Sequence, residues 1–243
     1  PGQLHRPSDG IHTCNDSMTL TMNSSQTTPP PADREAASGW TLYSHPESGH
    51  SYKVKLALSV LGLLHRDRVV NIALPAAQRA DDFRRVAQFD EVPVLVHDRK
   101  VLVQSNAILL YLAQHTRRWG GESAERLQQT TQWLFWEANR LGLSLPHLRF
   151  AKRFDAASYP PGALDWLRQR FDQDIARLAH TLSEGQAFVL GEQPSMADVS
   201  LSGYLWWADQ AGLTLPATVR AWLIRLSGEQ GWISPADMPT LEK

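Results

Sequence analysis

The stretch that most constrains this chain is Glu91-Val92-Pro93-Val94-Leu95-Val96, with Gln104-Ser105-Asn106-Ala107-Ile108 a few residues later. The apolar, β-branched run reads as a strand that starts at Pro93. Proline has no N–H for a sheet ladder, and the X-Pro bond there is a candidate cis bond, which turns the N–H and C=O of Val92 outward. Those two groups can pair with an extended peptide as one more strand would. Ser105 stands at a helix N-terminus, where free amides and the helix dipole favour a carboxylate. The two pieces together make a cradle for a small anionic peptide.

This arrangement resembles the glutathione-binding half of the soluble glutathione transferases. In that family a valine–cis-proline pair precedes an acidic-or-Gln–Ser pair and a helix of the form S-x-A-I-x-x-Y-L. Val92-Pro93 and Gln104-Ser105-Asn106-Ala107-Ile108-Leu109-Leu110-Tyr111-Leu112 carry the match. A second resemblance lies late in the chain, where Gly191-Glu192-Gln193-Pro194-Ser195-Met196-Ala197-Asp198 is similar to the G-x-x-x-S/T-x-A-D signature of the transferases' helical domain. Ser195 as N-cap with Asp198 at N3 reads as a capping box, a structural device. The resemblance spans roughly residues 40 to 235. It implies an α/β thioredoxin-like N-terminal domain followed by an all-α helical bundle, with glutathione as co-substrate, a hydrophobic electrophile as partner and a homodimeric assembly. Residues 39–116 are expected to be the glutathione domain, 117–122 the linker and 123–243 the helical domain.

Local patterns agree with that order. Trp40 to Ser44 reads as a strand, and Val54, Ala57, Leu58 and Leu61 put one apolar face on the helix after it, with Gly62 as C-cap. Arg68 to Leu74 is predicted as a second strand and Arg84 to Phe89 as a short helix. Val94–His97 and Val101–Val103 form a hairpin across Asp98-Arg99-Lys100, and the helix from Ser105 follows. Beyond the linker, one helix is predicted over about 123–150 and another through Leu164, Leu167, Phe171, Ile175, Leu178 and Leu182.

The thiol of glutathione ionises at about pH 8.5 unaided, so only a few per cent is thiolate at neutrality. Lowering that pKa by about 2 units takes about 2.7 kcal/mol. A hydroxyl donor at a helix N-terminus can supply much of it, since hydrogen bonds to charged groups give about 1.5–3 kcal/mol and the dipole adds to them. The loop after the first strand offers Tyr43, Ser48, His50 and Ser51. Ser48-Gly49-His50-Ser51-Tyr52-Lys53 resembles the S-G-N-x-Y-K segment of a bacterial transferase group, and by that alignment Ser48 is the donor and His50 stands where the group has Asn. The resemblance assigns Val92 and Pro93 to the cysteinyl backbone of glutathione and Gln104 and Ser105 to its γ-glutamyl end. Two departures stand out. Ala87-Gln88-Phe89-Asp90-Glu91 replaces the usual Asn-Pro-x-Gly-x, and Glu91 would repel a ligand carboxylate if it pointed inward. Trp133, Trp136 and Arg140 are candidates for the co-substrate site, with a core role as the alternative for aromatic residues at helical spacing. The rival readings are a glutathione-dependent disulfide reductase or peroxidase at the same site, and a non-catalytic relative that keeps the fold.

Composition narrows the partners. The 243 residues carry a net charge of −1 with Lys and Arg scattered, which gives nucleic-acid binding no electrostatic support. Nine histidines are spread without metal-ligand spacing, and no apolar run reaches the length of a membrane span. The single cysteine, Cys14, excludes an intrachain disulfide and fits a cytoplasmic, reducing home. Residues 1–38, rich in Ser, Thr, Pro, Asn and Gln, are expected to be a disordered tail.

Overall fold

The computed structural model describes residues 39–241, so the tail expected over residues 1–38 lies outside it. The first half is a four-stranded sheet with helices on both faces. Strand β1 (Trp40–Ser44) lies between β2 (Arg66–Val69), to which it is parallel, and β3 (Val94–His97), to which it is antiparallel; β4 (Lys100–Val103) pairs antiparallel with β3 at the far edge. Alternation along β1 sorts its side chains. Leu42 points into the larger core with α1 (Gly49–Val60) and α3 (Ser105–Thr116), while Tyr43 packs on the opposite face against Phe83 of α2 (Asp81–Val86). The Val92-Pro93 peptide is cis, as the strand-initial proline suggested. This is the thioredoxin-like arrangement.

Three features shift from the sequence expectation. Strand β2 ends at Val69 rather than running to Leu74, because β1 ends at its partner Ser44. Asn71 then takes the Ala73 amide on its side chain at 3.1 Å, a local turn that competes with strand. The short helix is Asp81–Val86, three residues earlier than expected, with Asp81 and Asp82 in its first turn and Arg84 and Arg85 in its last, each complementing the helix dipole. The hairpin turn narrows to Asp98-Arg99, since Lys100 pairs with His97.

The second half is all helix: α4 (Ala124–Asn139), α5 (Leu141–Arg153), α6 (Ala163–Leu182), α7 (Met196–Leu205) and α8 (Ala217–Ser227). The predicted helix over 123–150 is two helices, broken at Arg140, whose φ of −126° and ψ of −97° fit neither. The break lets Gly142 close on Glu137, where a Cβ at Gly142 would sit 2.7 Å from the carboxylate. Leu167, Phe171, Ile175, Leu178 and Leu182 form the buried apolar stripe of α6, each fully buried side chain contributing roughly 1.5–3 kcal/mol. Ser195 and Asp198 form the expected capping box of α7, and Asp198 also accepts from the Trp222 indole at 3.0 Å. The two halves share packing, since Leu134, Met196, Val199 and Met238 join the core beneath the sheet.

Candidate active site

The loop from β1 to α1 is wound tightly. The Ser48 amide donates to the His45 carbonyl (3.0 Å), and the His45 amide donates to the Ser51 hydroxyl (3.2 Å). Ser48 caps α1, its hydroxyl accepting from the Ser51 amide at 3.1 Å. Ser51 is therefore buried beneath the cap rather than serving as the cap. Tyr43 lies on the far face of the sheet, where its hydroxyl donates to Asp82 (3.4 Å). Of the four side chains that the sequence offered for thiol chemistry, Ser48 and His50 line the principal cleft and Tyr43 and Ser51 do not.

That cleft has a volume of about 1000 Å³ and lies between the two halves of the molecule. Ser48, His50, Val92, Pro93, Gln104 and Ser105 all stand on its wall. Gln104 precedes α3 with φ +67°, a left-handed conformation that costs a non-glycine residue of order 1–3 kcal/mol and clusters at functional sites. Its side-chain amide donates to the Glu91 carboxylate at 3.1 Å. Glu91 thus stands beside Gln104 on the cleft wall as half of a polar pair. The buried hydroxyl of Ser105 lies 3.5 Å from the His50 Nδ1. Burial, followed by the nearby Lys53 ammonium, lowers the His50 imidazole to about 4, so it is neutral at neutral pH.

Beneath these residues runs a polar network absent from the sequence expectations. Lys53 of α1 meets Glu137 of α4 at 2.7 Å, both side chains buried. Asn106 donates to Glu137 (2.8 Å), and the Ser200 hydroxyl reaches Asn106 (2.7 Å) and Glu137 (3.1 Å). Burial alone would raise the Glu137 carboxyl, but Lys53, with help from Asn106, pulls it below the ordinary carboxylate range. On the other side of the loop, Arg149 of α5 donates to the Glu47 carbonyl (2.7 Å), the Glu47 carboxylate (2.5 Å) and Gln210 (2.8 Å). Arg153 joins the same carboxylate at 2.5 Å. Glu47 immediately precedes Ser48, so the helical half holds the loop that carries the serine.

The candidate co-substrate residues are elsewhere. Trp133 and Trp136 stack edge-on at 5.4 Å and pack against the helical core, and Arg140 faces Asp174. From α4 the cleft takes Glu137 and Ala138, and neither tryptophan lines it. Phe89, Phe150 and Phe154, all about half exposed, bring apolar rings to the cleft wall instead. No group of three or more metal-ligating side chains occurs among the described residues, and none of their helices is long and apolar enough to cross a membrane.

A thioredoxin-like sheet joined to a helical bundle, with a cis-proline and a helix N-terminus facing one inter-domain cleft, defines the architecture of the glutathione transferases. Residues 38–114 match the family described as Glutathione S-transferase, N-terminal domain, and residues 152–233 match Glutathione S-transferase, C-terminal domain. The chain belongs to the glutathione S-transferase family. It is 27% identical to the disulfide-bond oxidoreductase YfcG of Escherichia coli K12 over 197 residues, which cover 76% of this chain and 88% of that protein. Among solved structures, a possible glutathione S-transferase from Rhodopseudomonas palustris aligns with a TM-score of 0.74 at 29% identity, over 83% of this chain and all of that one. A glutathione transferase from Pseudomonas putida, with one glutathione disulfide bound per subunit, has the same fold at 20% identity and a TM-score of 0.72, over 86% of this chain and 97% of that one.

Proposed function

We propose that the chain transfers glutathione to electrophilic small molecules, with Ser48 holding the thiolate. What carries this reading is one observation: the serine that caps α1 stands on the same cleft wall as Val92, Gln104 and Ser105. Residues 39–116 act as the glutathione-binding unit, 117–122 as the connection and 123–243 as the helical unit. Val92 pairs with the cysteinyl backbone through its main chain, as one more strand would. Ser105 receives the γ-glutamyl carboxylate at the N-terminus of α3, and the Gln104–Glu91 pair receives its ammonium. In this role the acid at position 91 attracts a cation rather than repelling a carboxylate.

Ser48 donates its hydroxyl proton to sulfur, and the free amides of α1 add positive potential. A thiolate so held attacks the electrophile, forming a C–S bond while the leaving group departs with its electron pair. Phe89, Phe150 and Phe154 supply an apolar mouth for that second substrate, in place of Trp133 and Trp136. The same resemblance carries a homodimer and a cytoplasmic, detoxifying role; light scattering at micromolar concentration should give twice the chain mass of 27.2 kDa.

Ser48→Ala tests the assignment. The pKa of the bound thiol should rise by about 1–2 units, and turnover near neutral pH should fall about 10- to 100-fold and recover in part at high pH. An unchanged pH–rate profile in an active variant would overturn it.

A second reading, glutathione-dependent disulfide reduction, is favoured by the name of the E. coli relative and by the size of the cleft. Cys14 is the only cysteine of the chain, so glutathione would supply both thiols: one attacks the substrate disulfide and releases a thiolate, and a second resolves the mixed disulfide. Rates with chlorodinitrobenzene and with a dialkyl disulfide separate the two. Failure to bind glutathione would favour a non-catalytic relative.

A further inference from the structure

The two oxygens of the Glu137 carboxylate differ. Oε2 is fully engaged: the Lys53 ammonium lies 2.7 Å away, and Asn106 and Ser200 donate to it at 2.8 and 3.1 Å. Oε1 accepts no hydrogen bond from any described residue, although Glu137 is only 3% exposed. Buried carboxylate oxygens ordinarily have a donor. Glu137 lines the cleft, and so does Gly142, where a Cβ would lie 2.7 Å from Oε1. The glycine therefore leaves that oxygen uncovered. Burial opposes ionisation of the carboxyl, but Lys53 outweighs it and keeps the group anionic at neutral pH.

This oxygen belongs to the co-substrate side of the cleft. Gly142, Pro146, Arg149 and Phe150 of α5 line the cleft at the spacing of one helix face. Along that face the wall changes from a carboxylate oxygen at Gly142 to an apolar ring at Phe150. From α1 and α7 the cleft takes His50 and Tyr204, whose rings meet edge-on at 5.0 Å. The Tyr204 ring is seated on the Gly49 backbone, where a Cβ would come within 2.5 Å of it. Neither ring donates to Oε1.

We propose that Oε1 of Glu137 is a specificity-determining acceptor for the second substrate, selecting electrophiles that carry a neutral hydrogen-bond donor such as a primary amide or a hydroxyl. The inference rests on the transferase reading. Charge decides the class of substituent. Lys53 already balances the carboxylate, so a cationic substrate would bring a second positive charge beside the ammonium. An anionic one would meet the carboxylate itself. A neutral donor meets neither obstacle and gains a charge-assisted bond. An apolar substituent would shut the buried oxygen away with no donor, which weakens binding of the transition state.

Three chloronitrobenzenes of equal size test this on the full chain with saturating glutathione. They carry, para to chlorine, a primary amide, a methyl ketone or a carboxylate, and the thiolate displaces chloride from each. For every compound kcat/KM is divided by its uncatalysed rate with glutathione, which removes differences in intrinsic reactivity. The corrected value should be about 10-fold higher for the amide than for the ketone, and lowest for the carboxylate. In Gly142→Ala the added methyl covers or displaces Oε1, and the ratio of amide to ketone should fall toward one. A ratio is independent of how much of the variant is folded. Equal corrected values for amide and ketone in the parent, or a preference for the carboxylate, overturn the inference and leave the transferase reading standing. A preference for the amide that survives unchanged in Gly142→Ala also overturns it. The first comparison needs no variant, so it decides even if Gly142→Ala does not fold. If no arene is turned over, chlorodinitrobenzene included, the transferase reading falls and the inference falls with it.

Discussion

His50 shows how a single side chain links the site to stability. Its imidazole is lowered to about 4 from an ordinary value of 6.5, first by burial and then by Lys53. Above pH 6.5 neither the folded nor the unfolded chain protonates it, and no penalty arises. As the pH falls from 6.5 to about 4, the unfolded chain binds a proton that the folded chain refuses, so stability drops across that window. The loss from this group should approach about 3 kcal/mol. His50→Asn should flatten the fall of the melting temperature between pH 6.5 and 4, and a parallel fall in both proteins would show that other groups are responsible. The residues of the site differ in how visible they are in the sequence. Val92-Pro93 and Gln104-Ser105 announce themselves because proline and a helix start leave local marks. Glu137, Arg149 and Tyr204 are single polar residues on long helices, and their partners are 84, 102 and 155 residues away in the chain. The available signals were slight: for Glu137 an acid inside an apolar stripe, for Tyr204 a glycine beside it.

At the level of elements, α5 and the β1–α1 loop form one unit through Arg149. Arg149 is 4% exposed, and its guanidinium spends its donors on Glu47 and Gln210 while stacking over Trp207 at 4.6 Å. Arg149→Met keeps much of the stem and removes the fork. Urea unfolding should move to a lower midpoint with an unchanged slope, a loss of about 2 kcal/mol, because bonds to charged groups are lost while the half-exposed Glu47 regains water and keeps Arg153. Arg149→Lys should not restore it, since an ammonium lacks the planar fork that reaches a carbonyl and a carboxylate together. A midpoint equal to the parent's would mean that the loop stands without the clamp. The elements that the sequence predicted well are those whose period is uninterrupted, such as β1, the β3–β4 hairpin and α6. The break at Arg140 was hidden because apolar residues continue at helical spacing through it, while Gly142 and Pro146, the residues that disturb the helix, lie beyond the break itself.

For the whole molecule, the Lys53–Glu137 pair is the joint between the halves. It brings two charges out of water, a cost of several kcal/mol per ion that only close pairing and added hydrogen bonds offset. Asn106 and Ser200 supply those bonds to the carboxylate from α3 and α7, so four helices converge on one buried oxygen. A joint of this kind is neutral as a pair and costly when half is removed. Glu137→Gln leaves the Lys53 ammonium buried with no anion and should cost about 3–5 kcal/mol. Lys53→Met together with Glu137→Leu replaces both charges by apolar groups and should recover most of that loss. If the pair couples the halves, unfolding of the parent followed by tryptophan fluorescence and by far-ultraviolet circular dichroism should coincide, as a single cooperative transition requires. In Glu137→Gln the sheet and the bundle should then begin to separate, with the two probes giving different midpoints. Coincident curves and an unshifted midpoint in Glu137→Gln would show that the shared apolar packing of Leu134, Met196, Val199 and Met238 joins the halves without help from the charges.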